Sequence, residues 1–332
     1  MGPRRVLVTG GCGFVGSHLV DALVAAGDTV TILDDLSTGK AENVKTPLDT
    51  ARARFVHGSV LDTSLVDRLV DEADAVYHLA AAVGVSHIVR DPIRSALTNV
   101  QGTENVLAAA FRRRVPTLLT SSSEVYGKST AAPFREDGER VLGPTWIHRW
   151  SYSTAKAMDE HLAFAYADEG LPVVVVRYFN AYGPRLDERG YGSVVARFIG
   201  QAFAGEPITV HGRGSQTRCF TYVDDTVRGT VLALNTPEAR GKAFNIGADT
   251  EISIADLAVL VKDVAGSSSE IRNVTYESYY GKGFEDTPRR VPDTRRAREV
   301  LGFTAETPLR EGLRSTVEWC RANYVRKDVA AG

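Results

Sequence analysis

The chain has 332 residues, with 39 Lys or Arg against 41 Asp or Glu and a net charge of −2 when His is neutral. That length fits about two domains. A composition of 43% hydrophobic and 24% charged residues builds a packed core, which excludes a disordered tail protein and a disulfide-held miniature scaffold. The near-neutral balance carries no electrostatic footprint for nucleic acid or a membrane surface.

The opening MGPRRVLVTGG passes from two arginines into a four-residue apolar run and then glycines. That run is too short for a signal peptide and reads as a first strand, Arg5–Thr9. The apolar run PVVVV at 172–176 is far too short to span a bilayer. Cys12, Cys219 and Cys320 lie far apart, and an odd number cannot all pair, so they read as reduced thiols of a cytoplasmic protein. After the first strand the pattern predicts a helix over Phe14–Ala26, strands over Thr29–Leu33 and Arg54–His57, and a helix over Ser64–Glu72. A strand over Ala75–Leu79, a helix over Ile93–Arg113, a strand over Thr117–Ser121, a helix over Ser151–Asp168 and a strand over Val173–Tyr178 complete the first half. Several strands are continuously apolar, as strands buried on both faces must be. Strand–helix alternation predicts a doubly wound, Rossmann-type parallel α/β sheet with right-handed crossovers. After residue 180 the strands shorten, and Pro, Gly and Arg become frequent. The expected division is a dinucleotide-binding domain over 1–180, rejoined by 224–246, and a smaller C-terminal α/β substrate domain from 181–223 and 247–330.

The first chemical motif is V-T-G-G-C-G-F-V-G, in which Gly10, Gly13 and Gly16 follow a strand and open a helix. Glycines there allow a tight turn and close approach to a pyrophosphate, which the helix N-terminus attracts. Asp34 ends the next strand, 18 residues after Gly16, where a carboxylate accepts hydrogen bonds from an adenosine ribose. Asp35 beside it would repel a 2′-phosphate, so NAD is expected rather than NADP. Asp62 admits two readings, a partner for the adenine amino group or a helix N-cap. The second motif, S-Y-S-T-A-K, sets Tyr152 and Lys156 one helical turn apart on one face. A lysine ammonium stabilises a phenolate, which makes tyrosine a usable base for an alcohol proton. This helix follows a strand ending in Ser121, Ser122 and Ser123, any of which offers a hydroxyl to share the same alcohol. No His or Cys spacing predicts a metal site, and no G-x-S-x-G elbow supports a serine hydrolase.

Gly10, Gly13 and Gly16, Asp34, the His78-Leu79-Ala80-Ala81 segment, Asn99, the serines and the Tyr152/Lys156 pair together resemble the extended short-chain dehydrogenase/reductases that act on nucleotide sugars, over essentially the whole chain. The resemblance implies an NAD site that also takes in Phe14, Val15 and Asp62. It implies Tyr152 as base, Lys156 on the nicotinamide ribose, and a homodimer formed through the 93–113 and 151–168 helices.

Within that family the segment S-S-S-E-V-Y-G at 121–127 decides the branch. Hexose dehydratases carry Asp-Glu after their Thr, and Ser123 stands at the Asp position here, so nothing protonates a departing C6 hydroxyl. 4-Epimerases carry a small or neutral residue where Glu124 stands. Ser-Glu-Val-Tyr-Gly resembles the UDP-glucuronate decarboxylases, with Ser122 for their Thr. R-W-S-Y-S-T-A-K, Y-G-P-R-L-D, Q-T-R-C-F and S-Y-Y-G-K-G-F-E-D-T-P-R-R-V-P-D resemble the same branch. That match implies Asn180, Arg185 and Arg218 on the nucleotide diphosphate, and Arg290 on the glucuronate carboxylate. The loop A-A-V-G-V-S-H-I-V-R at 81–90 reads more like the epimerases. The expected activity is NAD-dependent decarboxylation of UDP-glucuronate through C4 oxidation, giving UDP-4-keto-xylose, UDP-xylose or both. A UDP-hexose 4-epimerase and a non-catalytic NAD(H) sensor are the alternatives, and a dTDP-sugar is the alternative nucleotide.

Overall fold

The computed structural model describes residues 2–83, 91–186, 193–275 and 286–323. Its centre is a seven-stranded sheet built from β1 (Arg5–Thr9), β2 (Thr29–Asp34), β3 (Ala53–His57), β4 (Ala75–His78), β5 (Thr117–Ser122), β6 (Val173–Tyr178) and the late strand Ala243–Ile246. The order is Ala243–Ile246, β6, β5, β4, β1, β2, β3, and every pairing is parallel.

Side-chain alternation explains why these strands read as unbroken apolar runs. Val6 and Val8 of β1, with Val174 and Val176 of β6, enter the core on one face. Leu7, Val173 and Val175 enter the core on the other. Helices cover both faces. Helix α1 (Phe14–Ala25) packs with the Val223–Asn235 helix on the first, while Pro92–Arg113 packs with Ser151–Asp168 on the second. Strands and helices begin and end within about a residue of the expected limits, and two starts are fixed by side-chain caps. The Asp62 carboxylate accepts from the Leu65 N–H at 3.0 Å, and the Asp91 carboxylate accepts from the Arg94 N–H at 3.1 Å, each supplying an acceptor that a helix start otherwise lacks.

The sheet order reverses at β1, which lies between β2 and β4. A crevice opens outside the C-terminal strand ends at such a point. A separate apolar cluster, including Tyr182, Phe198, Ile208, Leu257, Leu313 and Cys320, forms a second layer. There Thr217–Cys219 pairs antiparallel with Glu251–Ser253 and parallel with Arg289–Arg290. This pairing carries Arg290 to the crevice. The three cysteines are buried and unbridged. Among the described residues, no helix is long and apolar enough to cross a membrane.

Candidate active site

The crevice is a cleft of about 680 Å³, within the range of cofactor and ligand sites. Its floor at one end is the glycine turn. Gly10 has φ +69°, and a Cβ there would sit 2.7 Å from the Ala80 nitrogen. A Cβ on Gly16 would overlap the Gly10 carbonyl oxygen. Both positions require glycine. Gly13 caps α1 without a side-chain hydrogen bond, so Phe14, Val15 and Gly16 bring first-turn N–H groups to the cleft wall in the manner of an anion site. Asp34 lines the same end. One of its oxygens accepts from the Cys12 N–H at 2.9 Å and the other from the Leu36 N–H at 2.8 Å. Burial raises its pKa and these N–H groups draw it back. Each oxygen keeps a further lone pair for a ribose hydroxyl. Asp34 therefore also fastens the glycine turn to the end of β2, a role its position in sequence does not reveal. These features fit a dinucleotide: a glycine turn too tight for a Cβ, uncapped helix N–H groups, and a buried carboxylate.

Leu79, Ala80 and Ala81 also line the cleft. Three expected contacts do not. Asn99 is buried behind the wall, where its side-chain oxygen accepts from the Ala82 N–H at 2.7 Å and its amide donates to the Ala82 carbonyl at 3.3 Å. It fixes the loop at Ala82. Of the two readings of Asp62, the geometry gives the helix cap, and Ser59 and Val60 line the cleft nearby. Arg218 is turned toward Asp286, with its guanidinium 2.8 Å from that carboxylate and 2.7 Å from the Thr217 carbonyl. Asn180 and Arg185 do reach the cleft. Both hold the left-handed backbone conformation, φ 41° and 65°, which is costly for residues other than glycine and clusters at functional sites. Arg185 is tied to Asp21 of α1 at 2.7 Å. Of the loop at 81–90, residues 84–90 lie outside the described residues, as do 278–285 of the S-Y-Y-G-K-G-F-E-D-T-P-R-R-V-P-D segment.

At the other end of the cleft, β5 and the helix Ser151–Asp168 converge. Ser121 is taken by structure, since its hydroxyl donates to Glu160 at 2.5 Å and Arg177 grips Glu160 through two nitrogens at 2.9 and 2.6 Å. Ser122 is the hydroxyl that bonds the Tyr152 phenol. Ser123 is buried in the cleft wall. Lys156 lowers the Tyr152 pKa as expected, but burial outweighs it. Burial raises it, Lys156 pulls it down, Glu124 and Asp159 push it up, and Ser122 pulls it down, leaving it above the ordinary tyrosine value. Burial is the largest of these effects, and the ammonium is also shared, with Lys156 Nζ 2.8 Å from the Asp159 carboxylate.

Glu124 sits between two guanidiniums. Arg290 approaches one oxygen at 2.6 Å and Arg149 the other at 2.6 Å. Burial alone would raise the Glu124 pKa, but the two arginines outweigh it and bring the group down to about 2. Arg149 is the functional residue that sequence reading missed. It is buried, lines the cleft, and lies over the Trp150 ring with its guanidinium carbon 5.4 Å from the centroid. Its signal was its place three residues before Tyr152, in R-W-S-Y. Among the described residues, no group of His, Cys, Asp and Glu could hold a metal ion.

The solved structure of UDP-glucose 4-epimerase from Thermotoga maritima superposes with a TM-score of 0.87 at 33% identity, covering 96% of this chain and 99% of that one. The UDP-glucuronic acid 4-epimerase of Bacillus cereus, solved with UDP-glucuronic acid and NAD, gives a TM-score of 0.86 at 29% identity, with coverage of 96% and 99%. Among curated relatives, the UDP-N-acetyl-alpha-D-glucosaminuronate decarboxylase of Bacillus cytotoxicus is 41% identical over 318 residues, 96% of this chain and 98% of that protein. UDP-glucuronic acid decarboxylase 1 of Xenopus tropicalis is 38% identical over 96% of this chain and 72% of its own length. Residues 6–247 match the model of the NAD dependent epimerase/dehydratase family, and with the cleft's glycine turn and Tyr152/Lys156 pair this establishes that the chain belongs to that family.

Proposed function

We propose that the chain decarboxylates a UDP-hexuronate, UDP-glucuronate or its 2-acetamido counterpart, through oxidation at C4. The observation that carries the reading is the charge at the sugar end of the cleft. Two buried guanidiniums, Arg149 and Arg290, meet Glu124 there, and an arginine fork suits the carboxylate of a hexuronate, which a neutral hexose lacks. The decarboxylases among the relatives support the same reading.

NAD, when bound at the glycine end, supplies the hydride acceptor for C4 and later returns the hydride. Tyr152, with Ser122 sharing the hydroxyl, takes the C4 alcohol proton and gives it back at the end. Lys156 stabilises the phenolate in between. With C4 a ketone, the C6 carboxylate is β to it. The C5–C6 bond breaks, its electron pair passes into the C4 carbonyl as an enolate, and CO2 leaves. Arg290 orients the departing carboxylate. Glu124, held ionised, orients water that protonates C5, and is not itself the acid. Asn180 and Arg185 serve the diphosphate, with the second layer as the sugar-nucleotide unit. Uridine is the expected nucleoside, with thymidine the alternative. A cytoplasmic homodimer is the expected form.

A 4-epimerase is the second reading, favoured by solved neighbours that include a UDP-glucuronic acid 4-epimerase. Carboxylate recognition alone does not separate the two, but CO2 does. The purified protein is supplied with NAD and, separately, UDP-glucuronate, UDP-N-acetylglucosaminuronate and UDP-galactose. Stoichiometric CO2 with a UDP-pentose product supports the decarboxylase. Interconversion of C4 epimers with no CO2 overturns it.

A further inference from the structure

Lys156 is fully buried, and its ammonium ends on a second fully buried charge, the Asp159 carboxylate at 2.8 Å. An aspartate one turn along a helix interior, with no exposed surface, is costly unless its charge is matched. Close by, the Thr103 Oγ1 lies 3.1 Å from His78 Nε2. His78 Nδ1 lies 2.7 Å from the Thr9 hydroxyl oxygen, which in turn accepts from the Ala80 N–H at 3.2 Å. Burial, then the Lys156 charge, brings the His78 pKa down to about 3, so the imidazole is neutral.

We propose that Asp159 is a positioning residue of the hydride-transfer centre: it holds the Lys156 ammonium inside the helix and, through that ammonium, restrains how readily Tyr152 gives up its proton. The inference rests on Tyr152 as the base, but not on which sugar is decarboxylated. The electrostatics have the required sign. Burial opposes the Lys156 charge, and Asp159 and then Tyr152 more than restore it, so the lysine stays protonated. Burial raises Asp159 while Lys156 draws it back. The other charged groups facing Tyr152 and Lys156 do not vary with Asp159: Glu124 is held by Arg290 and Arg149, and Glu160 by Arg177. His78 carries no charge. Asp159 is thus the anion whose removal leaves the lysine's field undivided.

The test uses the full chain, with and without NAD, and compares wild type, Asp159→Asn and Asp159→Glu. Tyr152 ionisation is read as the near-ultraviolet tyrosinate signal that Tyr152→Phe removes. Asp159→Asn is expected to move that ionisation to lower pH by about one unit, a shift of ordinary size for one buried neighbouring charge. The pH dependence of C4 oxidation moves with it, and Asp159→Glu restores the wild-type value. If Asp159→Asn does not fold, Asp159→Ser, which also removes the charge, replaces it and is expected to move Tyr152 the same way. A Tyr152 titration coincident with wild type in the folded variant, or the same shift with Asn and Glu, overturns the inference. Absence of CO2 from every substrate overturns the decarboxylase reading and leaves this titration decisive for Asp159.

Discussion

At the level of single residues, the cleft assigns different work to side chains that the sequence presents as one cluster. Of three consecutive serines, Ser121 serves Glu160 and only Ser122 bonds the Tyr152 phenol. Tyr152→Phe removes the one oxygen placed to take the alcohol proton. Turnover is expected to fall by about 10²–10⁴, with NAD affinity and thermal midpoint unchanged; retained activity removes Tyr152 from the mechanism. Glu124 gives a second, pH-dependent test. Its pKa falls from an ordinary 4.5 to about 2 in the fold, so it binds fewer protons folded than unfolded in that window. Its contribution to stability is therefore full above about pH 4.5 and lost as the pH falls toward 2. Denaturation midpoints across that range should show this loss in wild type and lack it in Glu124→Gln. The same variant should slow turnover by roughly 10²-fold, whereas Arg290→Met should chiefly raise the KM for a hexuronate. Glu124 and Arg290 were legible because each sits in a motif. That Arg149 completes the clamp was not, because the contact joins a turn before the catalytic helix to a turn after β5, and no local pattern encodes that meeting.

At the level of elements, the sheet was legible because both of its faces are buried. Val6, Leu7 and Val8 all had to be apolar, although alternate residues enter different cores. The glycine turn was legible in position but not in its fastening. Asp34 spends both carboxylate oxygens on backbone N–H groups of that turn and of the β2 end. Asp34→Asn, which keeps one acceptor, should therefore weaken NAD binding less than Asp34→Ala. The alanine variant loses charge-assisted bonds to the ribose of about 1.5–3 kcal/mol each, so its affinity for NAD should drop by at least about tenfold. Calorimetric titration checks this, and equal losses in the two variants would refute the fastening role. Gly16→Ala should abolish NAD binding outright, since its Cβ meets the Gly10 carbonyl and the turn cannot open without moving α1. Asp62 caps a helix, one of the two readings its place in sequence offered, and Asn99 braces the loop at Ala82, a structural task that its place in sequence does not reveal.

At the level of the whole molecule, the second layer was the least legible part. Its short strands pair segments far apart in the chain, as Arg289–Arg290 with Thr217–Cys219, and such pairings leave little local signal. The helices Pro92–Arg113 and Ser151–Asp168 pose a different question. They pack together over one face of the sheet, and yet Ile93, Leu97 and Met158 remain 74%, 57% and 49% exposed. Met158 lies two residues beyond Lys156, so the helix that holds Lys156 on its buried side turns an apolar side chain to solvent on the other. A two-fold pairing of these helices would cover that surface with the same surface of a second copy. Light scattering at micromolar concentration should then give twice the 36.0 kDa chain mass. Met158→Glu, which sets a charge in each copy against its partner, should shift the mass to one chain. Because Met158 faces away from the cleft, the monomeric variant should still bind NAD; any loss of turnover on dissociation would mean that pairing steadies the Tyr152/Lys156 helix. A wild-type mass of one chain would refute the dimer and leave the exposed stripe to another partner.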